Sequence, residues 1–305
     1  MAGAPTEWPR AGFESFFDYR SSFIHLNINL GSAAACRRYH DDWIGRYRAA
    51  MADWDNFEIA AWSVRLRQSL KLAYSATYFA LASEEARGIG SLAAAYYLAY
   101  YSALHAMWSV LFLHPEQGHD AVADITHSKL KNVFHSAFAG GNGRILRYDA
   151  SALVDDLRFL REYYSYRMPL NSPVPEEDES RRAHIHLGGL VKQTLQVSNL
   201  HSHLIRKAAE RCKVQGAKVP AERLSEFCEL FFRINGKAHP SRDIKALDPA
   251  DLQARREYIE QGCDLMPHSV ACDHMLDDFM TYADETRPSK EIVDRVRSLV
   301  FGAFF

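Results

Sequence analysis

The chain has 305 residues, of which 48% are hydrophobic, enough to bury a substantial core in one large domain or two ordinary ones. Its 36 Lys and Arg nearly balance its 38 Asp and Glu, and the net charge of -2 excludes a molecule-wide field that draws it to nucleic acid or to an anionic membrane, so any basic surface is local. Five scattered cysteines (Cys36, Cys212, Cys228, Cys263, Cys272) argue against a disulfide framework and for a reducing, cytoplasmic setting, and "MAGAPTEWPRAGFESF" lacks the basic segment and apolar run of a secretory signal.

In chain order the signals are helical. Alanine, leucine, arginine and glutamate fill long stretches, and alternating β-branched runs are absent, which predicts an all-α protein. Residues 1–55 read as a helical N-terminal extension with a helix near 32–53. A long helix follows over 56–86, broken from the next by "ARGIG". Residues 91–113, "SLAAAYYLAYYSALHAMWSVLFL", hold 23 residues without Asp, Glu, Lys or Arg. Tyrosines, serines and His105 run through their middle, so they read as a central bundle helix covered on all sides and not as a membrane span. Tyr96, Tyr97, Tyr100, Tyr101, His105 and Trp108 then form a core stripe, with His105 a hydrogen-bonded core histidine.

Beyond "HPEQGHD", Thr126 is a fitting N-cap for a helix over 127–139. After "AGGNG" a helix spans 150–168, and Leu153, Leu157, Leu160 and Tyr164 recur at helical spacing along it. "PLNSPVPEEDES" is a linker into a helix near 177–212. From 213 to 305 the helices shorten, near 220–233, 248–263, 269–281 and 288–301, which reads as a smaller C-terminal helical unit.

Three segments in one order, "AAAYYLAYYSALHAMW" (93–108), "THSKLKNVFHSAF" (126–138) and "LVDDLRFLREYYSY" (153–166), resemble HEPN domains, helical bundles of prokaryotic toxin and defence systems. The resemblance covers about residues 56–170. It implies an up-and-down bundle over 56–212, a homodimer, RNA or a nucleotide as ligand, and an antitoxin or defence-complex protein as partner. Catalytic members resemble metal-independent endoribonucleases with an arginine, a gap of four to six residues, and then a histidine on the last helix. Such a pair can move a proton at a ribose 2′-hydroxyl and hold the phosphate.

On this pattern Arg161 matches the arginine, while Tyr166 stands where the histidine is expected. Tyrosine ionises near pH 10 and is a poor base at neutrality, although it can donate to phosphate or stack on a base. Between Lys129 and Arg167 seven Lys or Arg face four Asp or Glu, so Arg158, Arg161, Tyr163, Tyr164, Arg167 and His127 are the candidate RNA- or nucleotide-binding residues. Other arginine and histidine pairs with the same gap are Arg181 with His186, an alternative catalytic pair, and Arg20 with His25. The alternative function is a non-catalytic module that docks a partner effector.

No cofactor is expected, since no glycine-rich phosphate loop or nucleophile elbow occurs. For metal the one constellation is Cys263, His268, Cys272 and His274, soft ligands at irregular spacing. "HIH" (184–186) and "HSH" (201–203) do not qualify, because helical residues two apart point to nearly opposite sides.

Overall fold

The computed structural model describes residues 12–17, 21–140, 144–167, 183–235, 249–281 and 289–305. Among them every regular element is a helix, and the chain is all-α. The longer elements are α2 (Ala33–Met51), α3 (Asn56–Gly88), α4 (Leu92–Leu111), α6 (His127–Phe134), α7 (Ala150–Glu162), α8 (Ala183–Cys212), α11 (Pro249–Gln261), α12 (His268–Thr281) and α13 (Ser289–Phe304). Between them lie the short α1 (Ile24–Leu30), α5 (His119–Ala123), α9 (Leu224–Leu230) and α10 (Phe232–Asn235). A lone antiparallel bridge joins Ala217 to Cys263. No described helix is long and apolar enough to cross a membrane.

Helices α3 and α4 form an antiparallel pair. Asp55 caps the start of α3 by accepting from the Glu58 amide at 2.8 Å. Gly90 adopts φ +78, a left-handed conformation that glycine takes without steric cost, and so lets α4 turn back along α3. Small and hydroxyl side chains knit the pair. Ser69 donates to the Ser109 carbonyl, Ser83 to that of Ala95 and Ser102 to that of Ala76, at 2.6, 2.8 and 2.7 Å. These bonds explain how serines sit dry in so apolar a seam.

The far end of α4 is held by a buried cation. The Arg65 guanidinium donates to the carbonyls of Phe112, His114 and Gln117 at 2.6, 3.1 and 2.8 Å and lies 3.9 Å from the Trp62 ring centre. Burial pulls its pKa down to about 9, so it stays charged at neutral pH, where it also complements the negative end of the helix dipole.

Helix α8 packs against α1, α2, α3, α4, α7, α12 and α13 and carries the polar centre of the core. Tyr47 donates to the Leu113 carbonyl at 2.7 Å, so its oxygen accepts from His201 Nδ1 at 2.8 Å, and His201 Nε2 in turn accepts from Tyr39 at 2.8 Å. One histidine tautomer is thereby selected. His203 bonds instead through Nε2 with Ser21 and Ser269, so the two histidines of "HSH" serve different neighbours, as their helical spacing predicts. Asn199 and Ser202 on α8 accept from the first amides of α12, at Ser269 and His268.

One hydrophobic cluster runs from Phe13 to Phe304 and so crosses the three spans expected from sequence. The N-terminal helices and α13 help to build the same core as the bundle. A second cluster, with Phe57, Val64, Phe227, Phe231 and Ala254, seats α9 and α11 on the first turns of α3. Lys71 and Arg67 flank the buried Asp251 at 2.6 and 3.4 Å and tie α11 to α3.

Candidate functional site

The end of α7 lies antiparallel against the beginning of α4, since Tyr164 stacks on Tyr96 with ring centres 5.0 Å apart and Arg161 lies over Tyr100. That register is what builds the site. Leu153, Leu157, Leu160 and Tyr164 face the core, as their spacing predicts, which leaves Arg161 at the edge with its side chain 17% exposed. Its guanidinium carbon is 4.6 Å from the centre of the Tyr100 ring, a cation-π distance. It approaches Glu162 at 3.5 Å, while its Nε is buried with no hydrogen-bond partner among the described residues.

A histidine joins this arginine from another helix. Thr126 caps α6, accepting from the Lys129 amide at 3.4 Å, and the next residue is His127. Its Nδ1 lies 3.1 Å from the Tyr100 hydroxyl, and its ring meets that of Tyr101 edge-on at 5.8 Å. Burial first, then the positive charges of Arg161 and Arg158, hold its pKa below the usual 6.5, so at neutral pH the ring is uncharged. Tyr100 thus bridges Arg161 and His127.

Around this core the charge is unevenly spent. Arg158 and Glu162 pair at 2.8 Å across one helical turn, and that bond lowers the Glu162 carboxyl pKa. With Lys131 matched by Asp155 at 2.7 Å, the group Arg158, Arg161 and Glu162 keeps one net positive charge. Helix α7 then loosens into a π-helical turn, Tyr163–Arg167, a feature often found where side chains are re-aimed for function. Tyr163 stacks on the half-exposed Phe159 at 6.0 Å, Tyr166 is 76% exposed, and Arg167 is exposed beside it.

Some sequence expectations change here. Tyr164, counted among the ligand-facing tyrosines, is buried against Tyr96 and offers a ligand no surface. The stripe on α4 is core only in part, because Tyr97 is 50% exposed and tilts against Tyr101 at 4.8 Å. His105 fits the core reading, with Nδ1 2.9 Å from the Ser75 hydroxyl and a pKa lowered by burial to about 4. Arg181 and Arg20 lie outside the described residues. His186 is exposed on α8 beside Tyr148, and His25 lies on α1.

The four soft ligands do not assemble. No three potential metal-binding side chains come together among the described residues. Burial raises the Cys263 and Cys272 thiols to about 12, so both are protonated at neutral pH, and the Cys272 thiol donates to the Ser269 carbonyl.

The residue that sequence reasoning missed is Tyr100 as the bridge. Its identity as an aromatic stripe residue was plain, but the α4–α7 register that sets it under Arg161 is a tertiary fact. Compared with known protein families, curated proteins and solved structures, the chain shows no match.

Proposed function

We propose that this protein binds single-stranded RNA at the surface formed by α4, the start of α6 and the end of α7, in the manner of a HEPN-like domain. The observation that carries the reading is the convergence of Arg161, over the ring, and neutral His127, at the hydroxyl, on the one side chain of Tyr100. Arg161 supplies a fork for a backbone phosphate, and its unpartnered Nε is a donor that such an anion would satisfy. Phe159, Tyr163 and Tyr166 supply faces on which unpaired bases stack. His127, supplied by a different helix, stands in for the histidine that α7 lacks and can accept or return a proton at a ribose hydroxyl.

Placement in a toxin-antitoxin or antiphage system, and a homodimer that meets at this surface, rest on the three-motif resemblance. The binding test is fluorescence anisotropy with a labelled unstructured oligoribonucleotide. Arg161→Ala weakens binding by roughly ten- to a hundredfold, the loss of one charge-assisted contact, and unchanged affinity in a folded variant refutes the assignment. Incubation of the same RNA with chelator present then reports on metal-independent cleavage.

A second reading, a non-catalytic docking module, is favoured by one observation. Tyr97, Phe159 and Tyr166 expose aromatic surface around the site, of the kind enriched at protein interfaces. Cleavage lost on His127→Ala but retained on Phe159→Ala speaks against it.

A further inference from the structure

Away from the α4–α7 surface, α3, α8 and α13 enclose an open groove of about 910 Å³. Thr77 and Leu81 of α3 and Val191 and Leu195 of α8 are buried and make its floor. Helix α13 walls it from Lys290 to Gly302, a length of about 18 Å at a rise of roughly 1.5 Å per residue.

That wall presents both a knob and a hole. Leu299 is 50% exposed, although an amphipathic helix packed on a core turns such side chains inward. Gly302, one turn further along α13, and Gly188 on α8 leave space before them, since a Cβ built on either meets no side chain or neighbouring helix within 4 Å. The apolar surface runs on past the groove. The Ser22 amide donates to the Phe304 carbonyl at 2.8 Å, which sets the start of α1 beside the end of α13, and there Ile24 and Phe305 are exposed as well. Apolar side chains gathered in this way mark a surface that another molecule covers.

Charge on the rim selects the occupant. Glu84, Glu291 and Asp294 line it together with Lys192 and Lys290, while Arg295 is matched by Glu85 at 2.7 Å. Carboxylates among the lysines oppose an anionic membrane or a nucleic acid, and a partner of one sign is repelled by part of the rim. A second copy of this chain carries the same two signs, and a two-fold axis lets the acids of each protomer face the lysines of the other. Knob and hole on one surface meet the same condition of self-complementarity. We propose that the groove between α3, α8 and α13 is the interface of a two-fold dimer, with Leu299 of each protomer seated in the space before Gly188 and Gly302 of the other. None of these residues belongs to α4, α6 or α7, so the contact is separate from the RNA-binding surface and from any dimer formed there.

The test is sedimentation equilibrium of the full chain, without RNA, from about 1 to about 100 μM, where a monomer–dimer equilibrium is expected. Leu299→Glu removes the knob and is expected to weaken the dimer by at least about thirtyfold, the scale of one hot spot. Gly188→Trp fills the hole from within one chain, meets nothing in the monomer and removes a helix-interior glycine, so it is expected to keep the melting temperature while weakening the dimer by at least about tenfold. Phe159→Glu on α7 is expected to leave the association unchanged. A monomer at every concentration, an undiminished dimer in either groove variant, or equal weakening by Phe159→Glu each overturns the proposal, whatever the outcome for RNA binding.

Discussion

At the scale of single residues, the pairing of Arg161 with His127 makes a prediction independent of any ligand. Arg161 is one of the positive charges that hold the His127 pKa below 6.5. Arg161→Ala therefore raises that pKa toward 6.5, observable as a shifted imidazole titration by NMR, and an unmoved titration would show that the two groups do not interact. The sign also sets a pH profile. His127 is neutral, and able to act as a base, above its lowered folded pKa, so any base-dependent cleavage declines as pH falls through that value. From sequence alone Arg161 was legible as a border residue, because the leucine spacing fixed its angular position on α7. His127 was legible only as the residue after a cap. Nothing local to "THSKL" says which neighbour it faces.

At the scale of elements, helix positions could be read from the chain while short elements could not. The break at Gly90 and the Thr126 cap are local chemistry and appear where the sequence put them. Helices α1 and α5, of seven and five residues, carry too few periodic positions to stand out, and tertiary contacts stabilise them. Trp108 Nε1, for example, donates to the Val122 carbonyl in α5 at 2.7 Å. The end of α4 depends on one side chain. Arg65→Met leaves three carbonyls without their donor, and a loss of about 3 kcal/mol in chemical denaturation is expected. A change within about 0.5 kcal/mol would mean that the guanidinium does not hold this turn. Such a role for Arg65 was invisible in "SVRLRQSL", where it reads as one of two equivalent arginines.

At the scale of the whole molecule, the all-α class was legible because helix-forming composition and the absence of strand patterning agree along the chain. The division into three spans was less so, since the core that joins Phe13 to Phe304 depends on long-range packing that no local boundary signal reports. The same core concentrates histidines that fold neutral. Burial lowers His105, His114 and His203 to about 4 and His268 to about 3, and holds His201 well below its ordinary value. Folded pKa values lie below unfolded ones, so stability is fully present above pH 6.5 and is lost as pH falls from there toward 4. At one unit below 6.5 each such histidine costs about 1.4 kcal/mol, and several together rival a typical folding free energy of roughly 5 to 15 kcal/mol. Circular dichroism should show cooperative acid unfolding between roughly pH 6 and pH 4, and a native spectrum and unchanged melting temperature at pH 4 would contradict this.

The central claim, one RNA-binding unit made from three helices, is tested most directly by a double-mutant cycle on RNA affinity with Arg161→Ala, His127→Ala and both together. If the two side chains serve one bound phosphate and its ribose, the double variant loses less than the sum of the single losses, with a coupling of at least about 0.5 kcal/mol. Strict additivity, or full RNA affinity in the folded double variant, would contradict the account.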